Sequence, residues 1–471
     1  MTQDWLFSFM SVRIALFGGS FNPPGIHHRE IARLLSLHFD RVIIVPCGPR
    51  PDKRTTNDIE PIFRATLTDL NFRGLPKVEV DLFDLEQATF TRTHDLQDRY
   101  ASQGDVWHVV GGDLIKGGKD GASFIQTTWK NGAAIWNHLN FAVITRDGID
   151  FDERDLPPHH QIFHIQVSGA SSSIRERIFN HQPIEELVTP AVSEYIERYE
   201  LYRGRIPSRL TRYQFENPRL LIVPDETNPR AMSLVPRFEP YRDDQNPNCI
   251  LVIGGDGMML GAISQYWHLR LPFFGVNAGH LGFLLNEANE VLNGSFRPQE
   301  LLIRQMPLLY VEAQLEDGTL VSSLSFNDAW VERATSQVGW IEVKVNGRVK
   351  IPKLIADGAL VSTAAGSTAY ARAMGAMPLL ADTPALLLVG SNVLEPPGWK
   401  SALLSLDSEV EFCTLSPIKR PLEGFAGNNS LGKVQKLQIR VSRIAAAELA
   451  FCPTHDMAEK IAQIQFPNQH G

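Results

Sequence analysis

A chain of 471 residues is longer than one hydrophobic core usually serves, which predicts two or more domains. Hydrophobic residues at 43% and charged residues at 21% are ordinary for a globular protein, and a net charge of -8 excludes a generally basic nucleic-acid binder while leaving local anion sites open. The four cysteines, Cys47, Cys249, Cys413 and Cys452, form no CxxC pair, which argues against a zinc or disulfide framework and for buried thiols in a reducing compartment.

The opening stretch "MTQDWLFSFMSVR" is acidic where a signal peptide is basic. No window reaches the roughly 18 uncharged apolar residues of a membrane helix. The expectation is a cytoplasmic protein with no membrane partner. Short β-branched runs then recur at 12–17, 41–46, 77–83, 105–110, 141–145 and 162–167, alternating with helix-like segments such as "HREIARLLSLHF", "IEPIFRATLTDL" and "SSIRERIFN". That alternation predicts a doubly wound α/β domain with a parallel sheet over residues 1–204. It closes on "TPAVSEYIERYELY", where Thr189 suits an N-cap and Pro190 the first helical position.

A basic, proline-containing stretch without periodicity, residues 205–218, reads as a linker. A second domain, 219–471, starts with strands "LLIVP" (220–224) and "CILVI" (249–253), the latter running into "GGDG"; "PFFGVNAGHLGFL" follows. From about residue 300, runs such as "LLYVEAQL", "WIEVKVNG", "ALVST", "EVEFCTL" and "LQIRVSR" predict a mostly β subdomain, and the tail "FPNQHG" reads as frayed.

Gly254, Gly255 and Gly257 allow a sharp turn after a buried strand and expose amides that a phosphate can approach, with Asp256 at the centre. Taken alone, GGDG fits a simple β-turn equally well. Three further polar islands follow, the first and third containing glycines: "NAGHLGFL" (277–284), "FNDAWVER" (326–333) and "ADGALVSTAAGSTAYARAMG" (356–375). Four such islands in this order resemble the NAD kinases over roughly residues 219–465. That resemblance implies an α/β subdomain joined to a β-rich one, and transfer of the γ-phosphate of ATP to the adenosine ribose 2′-hydroxyl of NAD. The hydroxyl is a weak nucleophile, so a nearby carboxylate must take its proton, and Asp256 is the candidate base. A carboxylate facing a triphosphate calls for a divalent cation, most simply Mg²⁺, although the sequence shows no metal cage. The resemblance further implies that Gly254 and Gly255 receive ATP phosphates, that Gly257, Asn327 and Asp328 bind the dinucleotide, that Asp357, Thr368, Ala369 and Tyr370 complete its pocket, and that the chain is a homo-oligomer.

Several positions depart from the family pattern: Met258 after GGDG, Asp328 in place of a longer Glu, "TAAGSTAY" without the usual proline-threonine, Ile355 in place of a basic residue, and "AGN" (426–428) in place of "DGQ". The departures bear on donor preference and affinity, and none removes the base. The rival is a diacylglycerol-type lipid kinase, which shares GGDG on a related fold. Against it stand the NAGHLGFL and GSTAY segments and the lack of a polybasic or amphipathic membrane-binding stretch.

The first domain carries "ALFGGSFNPPGIHH" (15–28), and "VPCGPRPDK", "VVGGD", "WKNGAAIW", "ITRDG" and "SSSIR" follow. Together they resemble nicotinate or nicotinamide mononucleotide adenylyltransferases, whose signature is GG(S/T)F(D/N)P, one residue, then HxGH. The resemblance implies AMP transfer from ATP to a pyridine mononucleotide with release of pyrophosphate. It assigns Gly18, Gly19, Ser20, Phe21, Lys53, Ser172 and Arg175 to the nucleotide phosphates and a catalytic role to His28. Ser172 starts a predicted helix, whose positive end suits phosphate oxygens.

The signature is altered, however. Gly25 stands where the first histidine is expected and His27 where the glycine is. Two helical positions subtend about 200°, so His27 is expected to point away from the site as a surface imidazole. Asp52 replaces a usual histidine beside Lys53. Three roles stay open for this domain: an active adenylyltransferase, a weakened one, or a nucleotide-binding module that regulates the kinase. The fusion favours nicotinamide mononucleotide for direct hand-over, because the nicotinate product needs an amidation for which the chain shows no domain.

Overall fold

The computed structural model describes residues 11–51, 58–146, 152–167, 169–215, 217–279, 281–292 and 300–466. The chain divides into two units, Met1–Pro207 and Ser208–Gly471. Lys53 and Asp52, and the tail beyond Phe466, lie outside the described residues.

The first unit is built on six strands: β1 (Arg13–Gly19), β2 (Arg41–Pro46), β3 (Val78–Val80), β4 (Asp105–Gly111), β5 (Asn140–Arg146) and β6 (His160–Ile165). They form one parallel sheet in the order β3-β2-β1-β4-β5-β6. The helices are α1 (Ile26–Ser36), α2 (Pro61–Phe72), α3 (Phe83–Gln87), α4 (Thr93–Ala101), α5 (Phe124–Thr128), α6 (Gly132–His138), α7 (Ser171–Phe179) and α8 (Pro190–Arg198). The central strands are apolar along their length because both faces are covered. The predicted strand 77–83 is shorter than expected: Asp81 Oδ1 accepts a hydrogen bond from the Phe83 amide at 3.1 Å, a local turn that ends β3 and starts α3.

In the second unit β8 (Leu220–Pro224), β9 (Cys249–Gly254) and β10 (Phe273–Asn277) are parallel, and β10 also pairs in parallel with the short β11 (Asn286–Glu287). Helices α9 (Pro229–Leu234), α10 (Asp256–Tyr266) and α11 (Ala288–Leu292) belong to this part. Part of the expected linker is a strand: β7 (Leu210–Tyr213) pairs antiparallel with β12 (Leu301–Leu315), so the alternating "LTRY" is an edge of the second unit's sheet. The β-rich part continues through β13 (Leu320–Ser325), β14 (Asp328–Arg333), β15 (Gly339–Val345), β16 (Arg348–Ala356) and β17 (Gly358–Thr363), then helix α12 (Tyr370–Ala373). Strands β18 (Ala385–Ser391), β19 (Ser401–Ser405), β20 (Val410–Thr414), β21 (Leu422–Ala426) and β22 (Asn429–Phe451) follow, and α13 (Met457–Gln465) ends the unit. The β-rich part packs its own core, including Val311, Val331, Ile341, Leu388 and Phe412.

Cys47 and Cys249 are buried, Cys413 and Cys452 half-buried, and all four are free thiols. Among the described residues no helix is long and apolar enough to cross a membrane.

Candidate active sites

The strand order of the first unit places its topological switch point between β1 and β4, where open parallel sheets take ligands beyond the carboxyl ends of their strands. A cavity of about 350 Å³ opens there, lined by Gly18 and Gly19 of β1, Cys47 after β2, and His108 and Val110 of β4. Arg50, Arg92 and Lys130 bring positive charge to its walls, and Phe90 and Trp129 bring aromatic surface. Asp84, also in the wall, already accepts from the hydroxyls of Thr89 and Thr91 and from the Thr91 amide. Burial pushes the His108 imidazole down to about 4, so it is neutral, and its Nε2 lies 2.9 Å from Gln97 Oε1.

The glycine loop after β1 is fixed by backbone clamps. Buried Arg64 donates to the carbonyls of Ser20 at 2.7 Å and Cys47 at 2.6 Å. Arg175 Nη1 donates to Asn22 O at 2.6 Å, Tyr202 Oη donates to Asn22 Oδ1 at 2.7 Å, and Ser171 Oγ donates to Pro23 O at 2.8 Å. Phe21, expected beside phosphate, instead puts its ring into the core against Phe17, Phe72 and His28; its φ of 41° lets the chain turn while the ring points inward. Only its backbone is left to meet a ligand. Ser172 is exposed in the first turn of α7.

Helix α1 begins with Gly25 as N-cap, and His28 Nδ1 accepts from the Gly25 amide at 3.1 Å. His27 is not the expected surface imidazole. It is 9% exposed, its ring lies 3.9 Å from that of His28, and it packs into space left open by Gly25 and Gly169. Burial first, and the Arg146 guanidinium second, push it down to about 4. Arg146 Nη1 also donates to Gly169 O at 3.3 Å, just before α7, so two imidazoles and a guanidinium gather near the amino ends of α1 and α7.

In the second unit Gly254 ends β9, Gly255 caps α10, and Asp256 is the first helical residue. A β-carbon on Gly254 would lie 2.9 Å from Met258 Cβ, which is why the turn needs glycine there. The Asp256 carboxylate accepts from the amides of Phe283 at 3.0 Å and Leu284 at 2.9 Å, so GGDG and NAGHLGFL form one structure. Burial pushes Asp256 above the ordinary carboxyl range, opposed by those two amides and by the charge of Lys460. Lys460, on α13, donates to Gly282 O at 2.6 Å and Leu285 O at 2.9 Å.

Asn327 and Asp328 open β14, both buried. The Asn327 carbonyl accepts from the Thr363 amide at 2.8 Å, and a β-carbon on Gly366 would lie 2.6 Å from the same oxygen, so the GSTAY segment is held against the Asn-Asp pair by a glycine. Among the described residues Asn327 Oδ1 is buried without a hydrogen-bond partner, and burial pushes the Asp328 carboxyl up to about 6. Phe326 and Ala365 share a core with Met259, Leu284 and Leu285, which joins these islands to the GGDG helix. Thr368 is half-buried, and Ala369 and Tyr370 are exposed beside it. Arg333 Nε and Asn392 Nδ2 each hold the Asp357 carboxylate at 2.7 Å, and Asp357 lines a cavity of about 410 Å³ together with Tyr370 and Trp330. Among the described residues no three His, Cys, Asp or Glu side chains gather as a metal cage.

The second unit is 31% identical over 250 residues to the NAD kinase of Rickettsia bellii, covering 98% of that protein and 53% of this chain. The chain belongs to the NAD kinase family. The NAD kinase of Xanthomonas campestris pv. campestris matches at 31% over 255 residues, covering 98% of its length and 53% of this chain. The family description "ATP-NAD kinase N-terminal domain" matches residues 229–293, and "Cytidylyltransferase-like" matches residues 16–177. Yeast NADH kinase complexed with NADH superposes at a TM-score of 0.47 and 14% identity, over 56% of this chain and 93% of that one. The NAD kinase domain thus follows a cytidylyltransferase-like domain in one chain.

Reading the sequence missed Arg64, Tyr202 and Lys460, because their partners are backbone carbonyls or residues far along the chain. It also missed Arg50, Phe90, Arg92 and Lys130: Arg50 and Lys130 stand inside quoted segments without a role of their own, Phe90 and Arg92 lie outside them, and all four line the cavity where the sheet brings the strand ends together.

Proposed function

We propose that the second domain transfers the γ-phosphate of ATP, supplied as its Mg²⁺ complex, to the ribose 2′-hydroxyl of NAD. The ribose oxygen attacks the γ-phosphorus, the bond from the γ-phosphorus to the β,γ-bridging oxygen breaks, and the hydroxyl proton passes to Asp256. The observation that carries this reading is the Asp256 carboxylate, fixed at the start of α10 by two amides of the NAGHLGFL segment. Each oxygen accepts one amide and has lone-pair capacity left for a hydroxyl. Asn327 Oδ1, without a partner among the described residues, and the buried Asp328 carboxyl are suited to polar groups of the dinucleotide.

The first domain, in our reading, is an adenylyltransferase acting on a pyridine mononucleotide. The mononucleotide phosphate attacks the α-phosphorus of ATP and pyrophosphate leaves. The cationic, aromatic-lined cavity at the switch point suits a phosphorylated, flat-ringed substrate. A second reading, a nucleotide-binding module without turnover, draws support from Gly25, which has no side chain, and from His27, which is neutral where it is buried.

Incubating the purified chain with MgATP and, separately, NAD, nicotinamide mononucleotide and nicotinate mononucleotide separates these readings. NADP from NAD supports the kinase, and its absence overturns it. A dinucleotide with pyrophosphate supports the transferase, whereas mononucleotide binding without pyrophosphate supports the module.

A further inference from the structure

The C-terminal helix α13 places one charged group deep inside the kinase domain. Lys460 is 7% exposed, and its ammonium meets Gly282 O at 2.6 Å, Leu285 O at 2.9 Å and Glu287 Oε1 at 3.0 Å. Between those two carbonyls lie Phe283 and Leu284, whose amides hold Asp256. We propose that Lys460 is a positioning residue for phosphoryl transfer: its ammonium clamps both ends of the Gly282–Leu285 turn, and the two amides of that turn aim the Asp256 carboxylate. The proposal rests on Asp256 acting as the base.

Two physical effects follow from one contact. The clamp presents the amides, because a turn gripped at both carbonyls has little freedom to rotate them away. The charge of Lys460 also favours the ionised form of Asp256, against burial. Among the described residues Glu287 on β11 pairs with the ammonium directly, and His455, ahead of α13, feels the charges of Lys460, of Arg304 on β12 and of Asp456. His455 is held down to about 4 by burial, Lys460 and Arg304, so it carries no charge at neutral pH, and Arg304 is paired with Asp382 at 3.0 Å. Glu287, in direct contact at 3.0 Å, partly offsets the Lys460 charge.

The test is the pH profile of NADP formation by the full chain. Lys460→Met is expected to lower kcat by about ten- to a hundred-fold, the scale of a small misplacement of a reacting group. It should leave KM for NAD within about threefold and move the acidic limb up by about one pH unit, since removing a cation raises the pKa of a neighbouring carboxyl. Lys460→Arg should restore most of the rate. Glu287→Gln, at a half-exposed position, should move the limb the other way, and it keeps the proposal open to test if Lys460→Met does not fold. A loss of rate with no movement of the limb in Lys460→Met and Glu287→Gln, while Asp256→Asn is inactive, overturns the proposal and leaves Asp256 as base. Turnover retained by Asp256→Asn overturns the base assignment and this inference together.

Discussion

The ring nitrogen Nδ1 of His27 stands 2.8 Å from the point where a β-carbon on Gly25 would lie. The two departures from the expected signature are therefore one change, since the imidazole at 27 occupies room that any side chain at 25 needs. Leu187 O, at 2.9 Å from the same point, closes the remaining side. Gly25→His alone is expected to destabilise the first domain by about 1–3 kcal/mol, the usual cost of overpacking, with no gain in adenylyl transfer. The exchange Gly25→His with His27→Gly should recover stability and exceed both single variants in pyrophosphate release. An equally low rate in the exchange would separate the imidazole at 25 from catalysis.

Asp256→Asn is expected to reduce NADP formation by about a thousand-fold or more, as loss of a general base combined with misalignment does. Binding of NAD, followed by calorimetry, should change by no more than about threefold, because the rest of the pocket is untouched. One carboxamide hydrogen would face the amide of Phe283 or Leu284, so a loss of about 1–3 kcal/mol in stability is expected as well.

Asp328 gives the kinase domain a pH dependence of its own. Its folded carboxyl is pushed by burial from 3.8 to about 6, so the native state holds this proton more tightly than the unfolded chain does. The contribution to stability is present in full below the ordinary value and is lost as pH rises to about 6. Asp328→Asn should then be more stable than the parent by about 1–3 kcal/mol at pH 8 and equal to it near pH 3. Urea midpoints at the two pH values test this, and equal differences at both would refute it.

The cavity at the end of β1, β2 and β4 predicts a separation of the two activities. Arg50→Ala combined with Lys130→Ala should raise KM for the mononucleotide by about tenfold, the effect of about 1.4 kcal/mol of lost binding. NADP formation by the same variant should stay at the parental rate. Unchanged mononucleotide kinetics would remove these cations from the site.

Much of the framework was legible because continuous apolar runs bounded by turn residues leave few alternatives. Strands β2 and β8 coincide with the runs 41–46 and 220–224. Strand β22 was read only as "LQIRVSR", because alternation stops at "AAAELAF", where the strand becomes buried on both faces and the period-2 signal vanishes. Strand β7 was hidden by its length of four residues and by basic neighbours. At the sites, the glycine turn GGDG pointed to Asp256, whereas the Asn327–Asp328 pair was carried only by the order of the motif segments. In an isolated helix His27 would point away from the site, but Gly169, just ahead of another helix, leaves room for its ring. Lys460 carried no signal, since two of its partners are main-chain carbonyls and the third, Glu287, lies far along the chain.

Strand β22 is a shared girder. Its early residues bond to β21 and β20 of the β-rich part, its middle and end run along β12, and its last turn of pairing adds Leu449 and Ala450 to β10 of the parallel part. The same backbone thus crosses from one half of the kinase domain into the other without a joint. A hinge that opened the halves as rigid bodies would have to break a run of interstrand hydrogen bonds. Substrate entry and product exit therefore fall to the loops that carry the glycine motifs, and turnover in this domain is a matter of local gating on a stiff frame.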